Sequence, residues 1–296
     1  MGQSQGYLDR AGRFGHTGTA LGDKWLSVIY AFHMPLFVFV SGYFSRKKDS
    51  FWDSTKRLII LYLIFNTAYI LLDIALGESL TFRRVLTPSF ALWYILSLII
   101  WRMLIQILPD KALSSPTLVI PMSVLLALAA GFIPIGTPMS FQRTFVFLPF
   151  FISGYFARKA DVMNWLSKHN NHYVVVVFVL LSVLSYFVLP VFYGSSPYLV
   201  GHELRDLVIR VVQLALAAVL CISVMLMVPQ KKVLFADLGR ESLLIYLLHP
   251  PIIKLTKLAC SHIGIPMNPL VAVIIAIFTV SVLYLVRNLR ILRPLR

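Results

Sequence analysis

The chain has 296 residues, of which 58% are apolar and only 13% are charged, and its mean hydropathy is +0.81. These values exclude an ordinary soluble globular protein and indicate a polytopic membrane protein. The formal net charge of +15 does not indicate nucleic-acid binding, because the Lys and Arg residues fall in short clusters between hydrophobic runs.

Residues 1 to 25 are polar, with charges of both signs, several glycines and no apolar core typical of a signal peptide. We expect them to form an extracytoplasmic tail or loop. Residues 26 to 296 are expected to form a single membrane domain. Cys221 and Cys260 have no spacing that indicates a metal site or a disulfide framework, so we predict no metal.

Nine apolar runs follow the polar segment, and most approach the ~20 residues that a membrane-spanning helix needs. They cover residues 26–44, 56–76, 90–108, 117–135, 143–157, 173–192, 206–228, 241–262 and 268–289. The sequence therefore predicts an all-α fold, a polytopic membrane helix bundle of about nine transmembrane helices. The run at 143–157 is short, so this helix is expected to be tilted or to begin earlier in the loop.

The flanks of the first run predict the orientation of the chain. Tyr43 and Phe44 end this run, and Arg46, Lys47 and Lys48 follow it, which is the aromatic and basic flank typical of the cytoplasmic side. With the N-terminus outside, the alternate loops on the cytoplasmic side also hold more Lys and Arg residues than the outer loops. We therefore predict that the N-terminus lies outside and the C-terminus lies in the cytoplasm.

Two of the runs contain a histidine beside proline. Pro35 cannot donate to the carbonyl of Ala31, so a helix through this run is expected to bend beside His33. His249 likewise precedes two prolines. An ionisable residue inside a membrane helix indicates a functional site, although a hydrogen bond that only packs helices is the alternative for both histidines.

Two segments of the chain echo each other. Residues 41–47 read SGYFSRK and residues 153–159 read SGYFARK. Both are predicted to end on the same side of the membrane. The echo indicates either an internal repeat or two helices that leave the membrane through the same aromatic belt, and Gly42 and Gly154 would allow close helix packing.

The run at 32–44, FHMPLFVFVSGYF, resembles the F-H-M-P-L-F-F-F-x-S-G-Y-F signature of the integral-membrane acyltransferase 3 family, in its fucose 4-O-acetylase-like branch. Three stretches agree with the family in order: residues 56–58 (KRL), 92–94 (LWY) and 147–155 (FLPFFISGY). Near the end, residues 238–249 (LGRESLLIYLLH) resemble the family's G-x-x-S-L-x-I-Y-L-x-H element.

The resemblance implies a membrane O-acyltransferase of a bacterial inner membrane. It would move an acyl group, expected to be acetyl, from acetyl-CoA to a hydroxyl of a cell-surface sugar or glycolipid. Acetyl-CoA is then a co-substrate, and no bound cofactor is expected. Such a transfer needs a base that takes the hydroxyl proton. We assign His33 to this role and place His249 in the catalytic site with it.

The donor phosphates are expected at a basic cluster that would face the cytoplasm. Its members are Arg46, Lys47, Lys48, Lys56 and Arg57. Basic residues at this place are also expected from the membrane topology alone, because cytoplasmic loops carry an excess of Lys and Arg. Phosphate binding and topology therefore both remain open as explanations of the cluster. The thirteen residues from His33 to Arg46 span about 20 Å as a helix, which is comparable to an extended pantetheine arm.

We assign acceptor binding to Trp93, Arg143, Glu241, Ser242 and Tyr246. Trp93 could stack on a sugar ring, but an aromatic belt at the membrane surface explains it equally. Arg143 could bind the acceptor or form an ordinary interfacial ion pair. The last three residues follow only from the family element near the end of the chain.

A polytopic transporter or flippase is the alternative that composition alone would favour. Proton-coupled carriers usually place carboxylates at mid-membrane, whereas Asp73 and Glu241 fall near the ends of the predicted spans. An inactive membrane partner is a third possibility. Members of the resembled family begin with a further helix that ends in a Gly-His pair, and we expect this chain to lack that helix and to be impaired as an enzyme.

Overall fold

The computed structural model describes residues 20–45, 51–160, 173–227 and 242–264, together with Val271, Ile275, Phe278 and Ser281. Every regular element in these ranges is a helix, so the predicted all-α class is confirmed for the described part of the chain. The α-helices are α1 (Ala20–Phe44), α2 (Phe51–Ala75), α3 (Phe82–Leu86), α4 (Trp93–Ile107), α5 (Pro116–Ala129), α6 (Phe141–Val146), α7 (Leu148–Lys159), α8 (Tyr173–Val188), α9 (Glu203–Met227) and α10 (Ser242–Ile263).

Helices occupy each of the first eight predicted spans, and the ninth, at 268–289, lies mostly outside the described residues. Among the described helices, three contain stretches long and apolar enough to cross a membrane: Ser27–Phe44, Thr55–Ala75 and Glu203–Met227. Shorter apolar helices cover Trp93–Ile107, Pro116–Phe132 and Tyr173–Val188. An apolar helical membrane protein is thus supported, while the count of nine spans and the orientation stay predictions.

The short run predicted at 143–157 is divided into two helices. α6 ends at Val146 and α7 begins at Leu148, with Pro149 in the first turn of α7. Pro149 has no N–H to bond the carbonyl of Phe145, so the helix ladder breaks at this point. The helical segment also begins earlier than the apolar run, at Phe141. By contrast, α1 runs through Pro35 as one helix, and it begins at Ala20, before the predicted start at residue 26.

The described helices belong to two compact units. The larger unit, Ser27–Lys231, holds α1 from Ser27 onward and the helices α2 to α9. Within it, α2 packs on α4, α5 packs on α7 and α9, and α8 packs on α9. The other unit includes Lys232–Arg296 and therefore α10.

Two glycines bring α1 and α7 into backbone contact. A Cβ on Gly42 would overlap the carbonyl oxygen of Phe151, and a Cβ on Gly154 would overlap that of Phe39. These are the equivalent glycines of the two echoed segments, so the predicted close packing is confirmed.

An arginine of α7 adds a side-chain contact to this crossing. The Arg158 Nη1 donates to the carbonyl of Tyr43 in α1 over 3.3 Å, and the Arg158 Cζ lies 5.9 Å from the Tyr43 ring centroid. That the two echoed segments end on the same side of the membrane stays a prediction.

Three connecting segments form a layer at the end of the bundle where α2, α5 and α8 end. We call residues 76–92, 130–140 and 189–202 the cap layer. The helix α3, inside the first segment, packs against residues 138–140 of the second. In the third segment, Tyr198 binds the end of α5: its N–H donates to the Gly131 carbonyl over 2.7 Å and its hydroxyl to the Leu128 carbonyl over 2.9 Å.

Arg210 of α9 holds the third segment from the other side. Its Nη2 donates to the Ser196 carbonyl over 2.5 Å, and its Cζ lies 4.6 Å from the Tyr198 ring centroid. Burial raises the pKa of the Tyr198 phenol, and the nearby Arg210 charge only partly opposes the rise. The Tyr198 hydroxyl therefore stays protonated at neutral pH and keeps its hydrogen bond to α5.

The glycine contact generates a prediction about stability. Gly42→Val should destabilise the fold by about 3 kcal/mol, because its side chain would be forced against the backbone of α7. Thermal unfolding of the purified protein in detergent measures the loss. Ala68→Val, at an exposed position of α2, adds a comparable volume and serves as the control. Equal melting temperatures for both variants would contradict the tight crossing of α1 and α7.

Candidate active site

His33 lies on the face of α1 that is turned toward the cap layer and α4. Tyr30 and Phe37 share this face, because they lie three positions before and four positions after His33. The Tyr30 ring centroid is 4.9 Å from that of Tyr193 in the cap layer, and the Phe37 ring centroid is 4.9 Å from that of Tyr94 in α4. His33 itself is exposed between these two contacts.

A pair of hydroxyl groups joins α1 to α4 two turns beyond His33. The Ser41 Oγ donates to the Phe37 carbonyl over 2.8 Å, and it is also hydrogen-bonded to the Tyr94 hydroxyl. A serine hydroxyl has one proton, so Tyr94 is the donor and Ser41 the acceptor in the second bond. This bond attaches Tyr94, at the start of α4, to α1. The attachment point, Ser41, lies about 12 Å from His33 along the axis of α1.

Trp93 and Arg143, both predicted to bind the acceptor, are in contact. Trp93 is only 7% exposed and stacks on Phe147, with ring centroids 5.4 Å apart. The Arg143 Cζ lies 5.0 Å from the Trp93 ring centroid, which is a cation–π distance, and the Arg143 Nε donates to the Tyr193 carbonyl over 3.2 Å. Trp93 therefore serves as a platform for Arg143, and Arg143 is the more accessible member of the pair.

The segment before Trp93 folds back along α2 instead of crossing over its end. The N–H and Oγ of Ser89 donate to the Asn66 Oδ1 over 3.0 and 2.9 Å. Asn66 precedes Ala75, the end of α2, by nine residues, or about 13 Å. Irregular backbone at such a depth is stable only where protein or a water-filled cavity surrounds it. α4 and its Trp93 consequently begin inside the bundle.

An ion pair fastens the same segment. Arg84 donates through Nε to the Asp73 Oδ2 over 3.1 Å and through a second nitrogen to the same oxygen. It also donates to the Thr87 carbonyl over 3.2 Å and to the Ser89 Oγ over 2.9 Å. Asn66, Arg84 and Ser89 are residues that the sequence analysis missed. The signal that could have found Asn66 was a lone amide within an otherwise apolar run.

The predicted donor residues lie apart from Trp93 and Arg143. Lys56 and Arg57 are exposed near the start of α2. Arg57 lies nine residues before Asn66, or about 13 Å along α2. Arg46, Lys47 and Lys48 lie outside the described residues.

The predicted site residues near the end of the chain fall on or just before α10. Glu241 lies outside the described residues, and only the backbone of Ser242 is described, as the first residue of α10. Tyr246 and His249 lie one turn apart, with ring centroids 6.2 Å apart. His249 is half-buried and is followed within α10 by Pro250 and Pro251. Among the described residues, no group of three or more His, Cys, Asp or Glu side chains could hold a metal ion.

The hydroxyl pair between α1 and α4 generates a prediction. Ser41→Ala should lower the stability by about 1–3 kcal/mol, because the buried Tyr94 hydroxyl loses its acceptor. In a Tyr94→Phe background the same change should cost much less, since no buried hydroxyl is left unsatisfied. Chemical unfolding of the four proteins in detergent measures the coupling, with Thr67→Ala on the exposed face of α2 as the control. Fully additive losses would contradict the bond.

A comparison with known protein families indicates the type of reaction. The family model of acyltransferase 3, described as an acyltransferase domain, matches residues 11–287. No curated protein and no solved structure matches the chain. Because the family match extends over almost the whole chain and the described helices are strongly apolar, the chain belongs to the acyltransferase 3 family of membrane acyltransferases.

Proposed function

We propose that the chain transfers an acetyl group from acetyl-CoA to a hydroxyl of a cell-surface sugar or glycolipid, with His33 as the general base. The observation that carries this proposal is the position of His33, exposed on the face of α1 between Tyr193 in the cap layer and Tyr94 in α4. An exposed imidazole among aromatic side chains, in a chain of an acyltransferase family, suits proton transfer from a sugar hydroxyl.

The reaction needs one base and balances without a further reactant. His33 takes the proton of the acceptor hydroxyl while the hydroxyl oxygen attacks the thioester carbonyl. The C–O bond forms, the C–S bond breaks, and the imidazolium returns the proton to the departing thiolate of coenzyme A. An imidazole has an unperturbed pKa near ~6.5 and can both accept and return this proton near neutral pH.

Arg143 is the proposed acceptor-binding group. Its guanidinium has a fixed position over Trp93 and at the Tyr193 carbonyl, and guanidinium N–H groups donate well to sugar oxygens. Trp93 is buried, so it contributes to acceptor binding by supporting the Arg143 guanidinium. His249 as a second catalytic residue, and Glu241, Ser242 and Tyr246 as acceptor-binding residues, rest on the resemblance of the family element near the end of the chain.

Lys56 and Arg57 are the proposed donor-binding groups of the described chain, with Arg46, Lys47 and Lys48 beside them in sequence. Their exposure supports the proposal, because exposed cationic side chains can bind the phosphates of coenzyme A. A bacterial inner membrane and a place in the fucose 4-O-acetylase-like branch are proposals from motif resemblance alone.

Transfer of radiolabelled acetyl from acetyl-CoA to glycan, in membranes that contain this chain, tests the proposal. Label should appear in the glycan fraction above the level of membranes without the chain. Uptake of a sugar or lipid without acetyl transfer would contradict the proposal and favour a transporter or flippase. Neither uptake nor transfer would favour an inactive membrane partner.

His33→Ala should lower the rate of acetyl transfer by about 10² to 10⁴-fold while the protein still inserts, because the base is lost. His262→Ala, at an exposed position in the last turn of α10, is the control and should keep the rate of the unsubstituted chain. The transfer assay, normalised to the amount of folded protein, gives the comparison. Full activity of the His33 variant would show that another group is the base.

Arg57→Glu should raise the KM for acetyl-CoA about tenfold, since it replaces one attractive charge near the phosphates by a repulsive one. The KM for the acceptor should stay the same. Lys111→Glu, an equally exposed charge reversal in the connection between α4 and α5, should leave both constants unchanged. An unchanged donor KM in the Arg57 variant would remove this residue from the donor site.

A further inference from the structure

A strained turn lies directly before the helix that carries Arg143. Met139 and Ser140 have φ angles of 49° and 59°, and among the described residues they are the non-glycine residues with positive φ. Residues other than glycine rarely adopt this left-handed backbone conformation. It costs about 1–3 kcal/mol per residue and persists only where surrounding contacts stabilise it. α6 begins at the next residue, Phe141.

Buried hydroxyl groups hold this turn against α4. The Ser140 Oγ donates to the Trp93 carbonyl over 3.2 Å. The Thr144 Oγ1 donates to the Ser140 carbonyl over 2.9 Å, and it lies 2.8 Å from the Ser97 Oγ. Each hydroxyl has one proton, and those of Ser140 and Thr144 are already donated, so Ser97 is the donor to both of them. Its Oγ is 2.8 Å from the Thr144 Oγ1 and 3.4 Å from the Ser140 Oγ. Ser97, Ser140 and Thr144 are all buried, and losing a buried partner is costly.

The same bonds determine where Arg143 lies. Ser140 and Thr144 are one turn apart and both face α4, so the first turn of α6, which includes Arg143, is attached to α4 at both ends. The indole Nε1 of Trp101 adds a third attachment by donating to the Thr144 carbonyl over 2.8 Å. Trp93, whose carbonyl accepts from Ser140, is the residue whose ring lies under the Arg143 guanidinium. Ser140 thus connects Arg143 to its own platform.

We infer that Ser140 is a positioning residue, which fixes the Arg143 guanidinium over Trp93 and thereby sets the affinity for the sugar acceptor. The link to the acceptor rests on the function proposed above, whereas the positioning itself does not. The strained turn at Met139 and Ser140 sets the direction of α6. The hydrogen bond from the Ser140 hydroxyl to the Trp93 carbonyl keeps this turn from relaxing to an unstrained conformation.

Two variants separate the hydroxyl from the strain. Ser140→Ala removes the hydrogen bond to Trp93 and keeps the strained φ. Ser140→Gly removes the same bond, but glycine adopts a positive φ without strain. Ser114→Ala, which removes an exposed hydroxyl bonded to the Asp110 carbonyl, is the matched control.

Hydrogen exchange measures the positioning without any substrate. In the purified full chain, Ser140→Ala should speed exchange of the Phe141–Val146 amides about fivefold, the equivalent of one lost hydrogen bond. In Ser140→Gly the same amides should also exchange faster. This variant should unfold at a higher temperature than Ser140→Ala, because glycine relieves the strain. Unchanged exchange in both variants overturns the positioning role.

Kinetics with acetyl-CoA and methyl fucoside as the acceptor probe measure the consequence. Ser140→Ala should raise the acceptor KM about fivefold and leave the donor KM unchanged. In an Arg143→Gln background, Ser140→Ala should add no further increase, because its effect passes through the guanidinium.

A rise of both KM values, or full additivity with Arg143→Gln, would show a general structural role and overturn the link to the acceptor. Absence of any acetyl transfer by the unsubstituted chain would contradict the proposed function instead. Hydrogen exchange would still decide the positioning role in that case, so the two failures are distinguishable.

Discussion

The backbone contact between α1 and α7 is the interaction on which the candidate site depends. Gly42 and Gly154 remove the side chains that would separate these helices, and each helix then lies against a carbonyl oxygen of the other. α1 carries His33, and α7 continues from α6, which carries Arg143. The crossing of α1 and α7 therefore fixes the proposed base relative to the proposed acceptor-binding group.

Paired polar side chains explain how the cap layer can enter an apolar bundle. An unpaired buried polar group is costly. Four pairs of hydrogen-bonded side chains avoid this cost: Asn66 with Ser89, Asp73 with Arg84, Ser41 with Tyr94, and Ser97 with Thr144. These pairs also carry directional information that apolar packing lacks. They determine where α4 and α6 begin, and so where Trp93 and Arg143 lie.

The two ends of α1 offer two different chemical environments. Toward its start lie His33, Tyr30 and the aromatic and cationic groups around Trp93. At its other end, Arg158 of α7 binds the Tyr43 carbonyl. A donor whose phosphates are held beyond Tyr43 would have to extend about 20 Å to bring its thioester to His33. An acyl-CoA has this elongated shape, and the proposed separation of donor and acceptor sites agrees with it.

The sequence by itself determined the class of protein, because repeated apolar runs close to ~20 residues long are typical of membrane-spanning helices. It also identified the family and the close packing of Gly42 and Gly154, and it named Trp93 and Arg143 as candidate acceptor-binding residues, since these depend on residue type and local motif. Only the tertiary structure decided that Trp93 is buried beneath Arg143 and that Asn66 and Ser140 hold the cap layer. These features depend on contacts between residues more than 20 positions apart, and hydropathy along a chain contains no information about which distant polar groups will meet.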